Sequence, residues 1–260
     1  MEKERARILV ACAGWSLSSA VAAEFTGSGS HLERYASVLP AVEINSSFYR
    51  PHRPATYARW HDSVPDGFRF SVKIPRTISH ELRLRDSEAL LDDFLAQAGN
   101  LGKKLGCLLL QLPPSLRFDA AEATSFFGAL RDRTRVAVAC EPRHVSWFGQ
   151  EAADVMRRYK VSFVHADPPP VPEAPPNLPG IVYLRLHGSP EIYRSAYDDA
   201  FLESLAHRIE HAAAKAKQVW CVFDNTANGH AVPNALILLG LLQQADDRRA
   251  KPARSHRNDT

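Results

Sequence analysis

The chain has 260 residues, 45% of them hydrophobic and 23% charged, with a net charge of +3. That length matches one α/β barrel of about 250 residues, and that composition buries a large core, which excludes a disordered or fibrous chain. So small a net charge gives weak support to nucleic-acid binding, and part of it sits in a terminal stretch carrying Arg248, Arg249, Lys251, Arg254 and Arg257.

Residues 1–7 are polar, and the apolar run 8–13 is too short for a signal-peptide core or a membrane span, so a cytoplasmic location and no membrane contact are expected. That run is also the first of eight short β-rich segments. The others are 41–44, 69–73, 107–111, 136–141, 161–165, 181–186 and 218–223. Helical patterns lie between them at 55–62, 88–101, 120–130, 151–159 and 199–215, and a last one at 233–244 follows the eighth run. The alternation predicts a single (β/α)₈ barrel over residues 1–245, with residues 246–260 as a disordered basic tail. The proline-rich stretch 168–179 cannot be a regular helix and reads as a stiff loop over the barrel mouth. A doubly wound open sheet is the rival, but Ala13-Gly14-Trp15-Ser16 after the first run lacks a glycine-rich phosphate loop. Cys12, Cys107, Cys140 and Cys221 each fall inside or at the edge of an apolar run and read as reduced core residues.

Side chains alternate across a strand, so each run presents one parity to the barrel interior and the other to the helices. In Tyr183-Leu184-Arg185-Leu186-His187 the leucines share one face, which helices must cover, so Arg185 and His187 point inward. The same reading turns inward Glu43, Asn45, Lys73, Gln111, Glu141, Arg143, His165 and Asp167, all late on their strands. The C-terminal rim of a barrel is where such folds carry their chemistry.

These stretches also carry a family resemblance. Glu43-Ile44-Asn45-Ser46-Ser47-Phe48-Tyr49, Phe70 to Lys73, Lys104-Leu105-Gly106 through Gln111-Leu112-Pro113-Pro114, Glu141-Pro142-Arg143-His144 with Ser146-Trp147, Arg185-Leu186-His187-Gly188, and Phe223-Asp224-Asn225 with Gly229, Ala231, Asn234 and Ala235 resemble, in order, the YecE-like family, domain of unknown function 72. The resemblance implies a TIM-type barrel and no particular reaction. Two departures stand out: 17–23 replaces an aromatic-rich segment, and Asp224-Asn225 stands where an Asn-Asn pair is usual, which adds a carboxylate at the mouth.

Three functional readings follow. In the first, the mouth binds or transforms an anionic small molecule, with nucleic acid a weaker possibility. Lys73, Arg143 and Arg185 bind the anion, Glu43, Glu141, His144 and His187 exchange protons, and Trp15, Tyr49 and Trp147 stack, while Asn45, Gln111, Asp167, Asp224 and Asn225 line the pocket. The second is a metal-dependent hydrolase or isomerase-like barrel drawing ligands from His80, His144, His165, His187 and His230 with Glu43, Glu141, Asp167 and Asp224; the nearby cations and the lack of any His-x-His spacing weigh against it, and no metal ligand is assigned. The third is a non-catalytic binding or regulatory barrel, in which the charges form a structural network. No nucleotide fingerprint is present, so no cofactor is expected beyond a possible divalent metal, and the oligomeric state is not readable.

Overall fold

The computed structural model describes residues 6–172 and 180–250. All eight expected runs are strands: β1 Arg7–Cys12, β2 Ala41–Ile44, β3 Arg69–Lys73, β4 Leu105–Gln111, β5 Ala137–Glu141, β6 Val161–Asp167, β7 Ile181–Leu186 and β8 Gln218–Phe223. They form one parallel sheet in the order β1-β8-β7-β6-β5-β4-β3-β2. Its two edges meet at a single bridge, Ala13 opposite Glu43, where the Gly14 N–H donates to the Glu43 carbonyl at 2.9 Å. The barrel is thus nearly closed, with its seam stitched at the C-terminal end beside the polar residues.

Among the described residues seven α-helices cover the sheet: α1 His31–Ala36, α2 Pro54–Asp62, α3 Glu88–Ala98, α4 Ala120–Arg133, α5 Gln150–Arg158, α6 Asp199–Ala213 and α7 Ala231–Ala250. Their starts follow local chemistry. Ser30 and Glu33 form a reciprocal capping box on α1, Asp119 accepts from the Ala121 and Glu122 N–H groups at α4, and Asp198 accepts from Phe201 at α6. No helix joins β6 to β7 among the described residues; most of the proline-rich loop expected over the mouth lies outside them.

The two faces of the sheet bury different sets. Helices cover Val10, Ile44, Val72, Leu110, Cys140, Phe163, Leu184, Leu186 and Phe223, whereas Leu9, Ala11, Leu109, Ala139, Val164, Tyr183, Trp220 and Val222 fill the barrel. Burial on both faces explains the near-continuous apolar runs in the sequence. Tyr183 and Trp220 stack inside at 5.9 Å between centroids. Gly106 leaves them room, since a Cβ there would lie 2.7 Å from Trp220 Cζ2. All four cysteines are free and buried.

Two expectations are corrected. On β6 the inward parity belongs to Val164, while Val161 and Phe163 pack under helices, so His165 and Asp167 share the outer parity. The outer face opens with Val161 and Phe163 and the inward one with Ser162 and Val164, and the polar end of the run misled the assignment. The expected disordered tail from residue 246 is helical through Ala250, with Arg249 paired to Glu210 at 2.5 Å; residues 251–260 lie outside the described ones.

Candidate functional site

The inward residues at the C-terminal ends of β2, β5, β7 and β8 converge on one guanidinium. Arg185 donates from Nε to Glu43 Oε2 at 3.1 Å, from Nη2 to Glu43 Oε1 at 2.8 Å and from Nη1 to Glu141 Oε2 at 3.2 Å, and Nη2 also lies 3.0 Å from Asp224 Oδ2. Tyr183, one step deeper on β7, donates its hydroxyl to Glu43 Oε2 at 2.9 Å and contacts Ser71 Oγ at 2.9 Å. His187 bridges the ring's other side, with Nδ1 2.9 Å from Asp224 Oδ2 and Nε2 2.9 Å from Glu141 Oε1. Arg143 lies above, with Nη2 bonded to Glu141 Oε1 and 2.6 Å from His187 Nε2.

Burial would raise the carboxylic acids, but Arg185, His187 and Arg143 hold Glu141 well below the usual carboxylate range. Asp224 is lowered against burial by Arg185, by its hydrogen bond to His187 and by Lys73. His187 moves up against burial because both ring nitrogens face carboxylates, which favours the imidazolium. Lys73 ends β3 beside this ring and behaves differently. It is only 4% exposed, has no carboxylate within ion-pair reach among the described residues, and holds its Nζ 4.1 Å from the Phe48 ring centroid. Burial, then repulsion from Arg185, push its ammonium down to about 8, with Glu43, Glu141 and Asp224 opposing.

Several expected site residues stand apart. Trp147 is buried in the helix layer, its indole N–H donating to the Leu116 carbonyl at 2.9 Å and its ring edge-on to Phe118, so it packs instead of stacking on a ligand. Asn225 donates to Ser195 O and Asn234 Oδ1, bracing the loops after β7 and β8. Asp167 accepts from the Tyr197 hydroxyl at 2.9 Å on the helix side. His144 caps the short 3₁₀ turn Val145–Phe148, its Nδ1 accepting from the Ser146 N–H at 3.1 Å, and none of its hydrogen bonds reaches the charged ring. Trp15 packs edge-on against Trp60 at 5.1 Å, and Tyr49 is 67% exposed against Phe48 at 5.0 Å. Gln111 follows the inward parity of Cys107 and Leu109, opposite Glu141, and Asn45 buries an Oδ1 that has no hydrogen-bond partner. Arg185, expected to grip an anion, has its donors engaged by carboxylates instead.

The family described as protein of unknown function DUF72 matches residues 9–258, nearly the whole chain. The chain belongs to the DUF72 family. It is 39% identical over 82 residues to the UPF0759 protein YecE of Escherichia coli strain K12, a match covering 32% of this chain and 30% of that relative's length. Similarity to the UPF0759 protein YunF of Bacillus subtilis is lower, 22%, but spans 90% of this chain and 94% of that one. The solved structure of a DUF72 family protein from Thermotoga maritima superposes with a TM-score of 0.76 at 24% identity, over 91% of this chain and 99% of that one. This last likeness shows the fold.

Within this DUF72 chain, Asp224 supplies the third carboxylate around Arg185, so the departure noted there sits inside the charged ring. The segment departing after β1 forms a 3₁₀ turn, Ser19–Glu24, and Leu17, Ser18 and Val21 help line a cavity of about 450 Å³ at the rim, closed opposite by Thr226, Ala231 and Val232. Sequence reasoning missed Tyr183 and Ser71, although they share parity with Arg185 and Lys73. It passed over Phe48, the ring under Lys73, and gave His80 no role beyond a possible metal ligand. His80 packs edge-on to Phe48 at 4.9 Å, from the π-helical turn Thr77–Glu81. Such turns cluster at functional sites.

Proposed function

We propose that the C-terminal mouth of this barrel binds an anionic small molecule, with Lys73 and Arg143 as the cations that meet it and His187, both of whose ring nitrogens are engaged, as part of the charged ring beneath it. The observation that carries this reading is the buried Lys73 ammonium, which has no carboxylate partner among the described residues. A buried charge is costly unless paired, so a site that keeps one supplies it with a ligand or with water. Charge balance points the same way. Glu43, Glu141 and Asp224 face Arg185, Arg143, Lys73 and a His187 pushed toward its charged form, which leaves the cluster short of one negative charge. Arg143 also keeps a buried Nε without a hydrogen-bond partner. In this reading Arg185 is a positioning residue that fixes Glu43, Glu141 and Asp224.

A metal-dependent reading is less favoured, because the Arg185 guanidinium occupies the centre of the carboxylate ring. Among the described residues, no three His, Cys, Asp or Glu side chains are grouped to hold an ion. The test is thermal denaturation with inorganic phosphate, sulfate and small sugar phosphates, since a ligand that binds only the folded chain stabilises it. The expected result is a rise in melting temperature that Lys73→Met and Arg143→Met each abolish. A rise that survives both substitutions would place the anion elsewhere.

A further inference from the structure

The chain buries a second lysine, and the contrast between the two defines what Lys73 is for. Lys104 donates to the His61 carbonyl at 2.7 Å and the Val64 carbonyl at 2.6 Å and lies 3.8 Å from Asp66 Oδ1, so it is a satisfied structural cation. Lys73 accepts burial without any such partner among the described residues, at the strand end where barrel chemistry takes place. A strongly hydrated ammonium is a poor choice for packing there, and a desolvated amine is a good nucleophile.

We infer that Lys73 is an imine-forming lysine, its buried amine at the C-terminal end of β3 condensing with an aldehyde or ketone that carries an anionic group. This rests on the mouth being the ligand site, as proposed above, and adds the substrate class: a phosphorylated or carboxylated carbonyl compound. The Nζ lone pair forms the C–N bond as the C=O π pair moves to oxygen. Protons shed by nitrogen reach that oxygen, which leaves as water when the C=N bond forms. In net, one ammonium and one carbonyl give one iminium and one water, with no oxidant or reductant.

The surroundings fit each step. Burial and the Arg185 charge lower the ammonium to about 8, so about a tenth of it is free amine at pH 7, on the order of a hundredfold more than for a surface lysine. His80 packs on the same Phe48 ring as Lys73, and burial with the charges of Lys73 and Arg76 holds it toward the neutral, proton-accepting form. The Ser79 hydroxyl donates to the Pro75 carbonyl at 3.4 Å and lies 2.9 Å from His80 Nδ1, an arrangement that suits a proton on Nδ1 and leaves Nε2 able to accept one. The anionic group of the substrate meets Arg143, which frees Lys73 for the carbonyl.

Reductive trapping tests this on the full chain. Glyceraldehyde 3-phosphate, pyruvate and uncharged glyceraldehyde are each incubated with the protein and sodium cyanoborohydride, and adducts are mapped by peptide mass spectrometry. The expected result is one adduct per chain, at Lys73, favoured for the anionic compounds, rising from pH 7 to 9 and blocked by inorganic phosphate. Lys73→Arg, which keeps the charge but cannot form the imine, should abolish it; wild-type adduct mapping stands independently if that variant misfolds. Adducts spread over Lys103, Lys160 and Lys215, with Lys73 unmodified, would overturn the inference. Phosphate-induced stabilisation without any Lys73 adduct would overturn the imine while leaving the anion site standing. A Lys73 adduct formed equally by glyceraldehyde, with no stabilisation by any anion, would support the imine and overturn the anionic reading.

Discussion

Arg185 and Glu43 are joined by two hydrogen bonds, Nε to Oε2 at 3.1 Å and Nη2 to Oε1 at 2.8 Å, between side chains that are both almost wholly buried. This fork spans from β7 to β2, next to the single bridge that closes the barrel seam, and the same guanidinium reaches Glu141 and Asp224. Its geometry is bidentate, the strong form of a charge-assisted pair. The arginine therefore organises the polar floor of the mouth from below.

From that hub comes the first expectation. Arg185→Met keeps much of the stem's packing but leaves Glu43, Glu141 and Asp224 without their shared cation. Removing one partner of a buried pair costs about 3 to 5 kcal/mol. Urea denaturation should show a loss of that size. A near-neutral result would mean the guanidinium serves a ligand and not the ring.

Lys73→Met should do the opposite. In the folded chain this amine is pushed down to about 8 from its ordinary 10.5, so below pH 8 the fold carries a charged group that it disfavours. That penalty fades as pH rises from about 8 to 10.5 and is gone above the unfolded value. Removing the amine should stabilise the protein at pH 7 by about 1 to 3 kcal/mol and erase anion binding, the pattern of a site kept for function at the expense of stability. A destabilised variant would show that the contacts of Lys73 are structural.

The pH dependence has two signs in the same ring. His187 is raised in the folded state, so its contribution is fully present below its unfolded value near 6.5 and is lost as pH rises through the higher folded value. Glu141 and Asp224 are lowered, so theirs is present above about pH 4 and is lost as pH falls toward their folded values. Denaturation followed from pH 3 to 9 should show the acid-side loss in the wild type, and His187→Gln should flatten the alkaline-side contribution. An unchanged alkaline limb in that variant would show that His187 is not held charged.

Trp147 should behave as a core residue. Trp147→Phe removes the indole donor and leaves the buried Leu116 carbonyl short of a partner, a loss of about 1 to 3 kcal/mol. The stabilisation produced by phosphate should be unchanged in this variant. If that stabilisation falls while the fold holds, Trp147 touches the ligand after all.

Gly106→Ala tests the barrel floor. The new methyl would press on Trp220, held between the strands in its stack with Tyr183, and overpacking of this kind costs about 1 to 3 kcal/mol. A cost near zero, measured by denaturant titration, would mean that Trp220 moves freely.

The eight strands were legible because burial on both faces of a parallel barrel imposes short apolar runs at regular intervals, and the inward set followed wherever one parity was plainly leucine or valine, as on β7. Glu43, Lys73, Glu141, Arg185 and His187 were found by that rule alone. On β6 the outer parity opens with Val161 and Phe163 while the inward one holds Ser162 and Val164, so His165 and Asp167 continue the helix side, and weighing the polar end of the strand above that alternation turned them to the wrong side. What each polar residue does depended on distances between strands far apart in sequence. Arg185 and Lys73 look alike in the chain as late, inward cations, yet among the described residues one is enclosed by three carboxylates and the other pairs with none. Only the closure of the sheet, which brings β2, β5, β7 and β8 around Arg185 and leaves the end of β3 over Phe48, decided which cation is ringed by carboxylates and which lies against an aromatic ring.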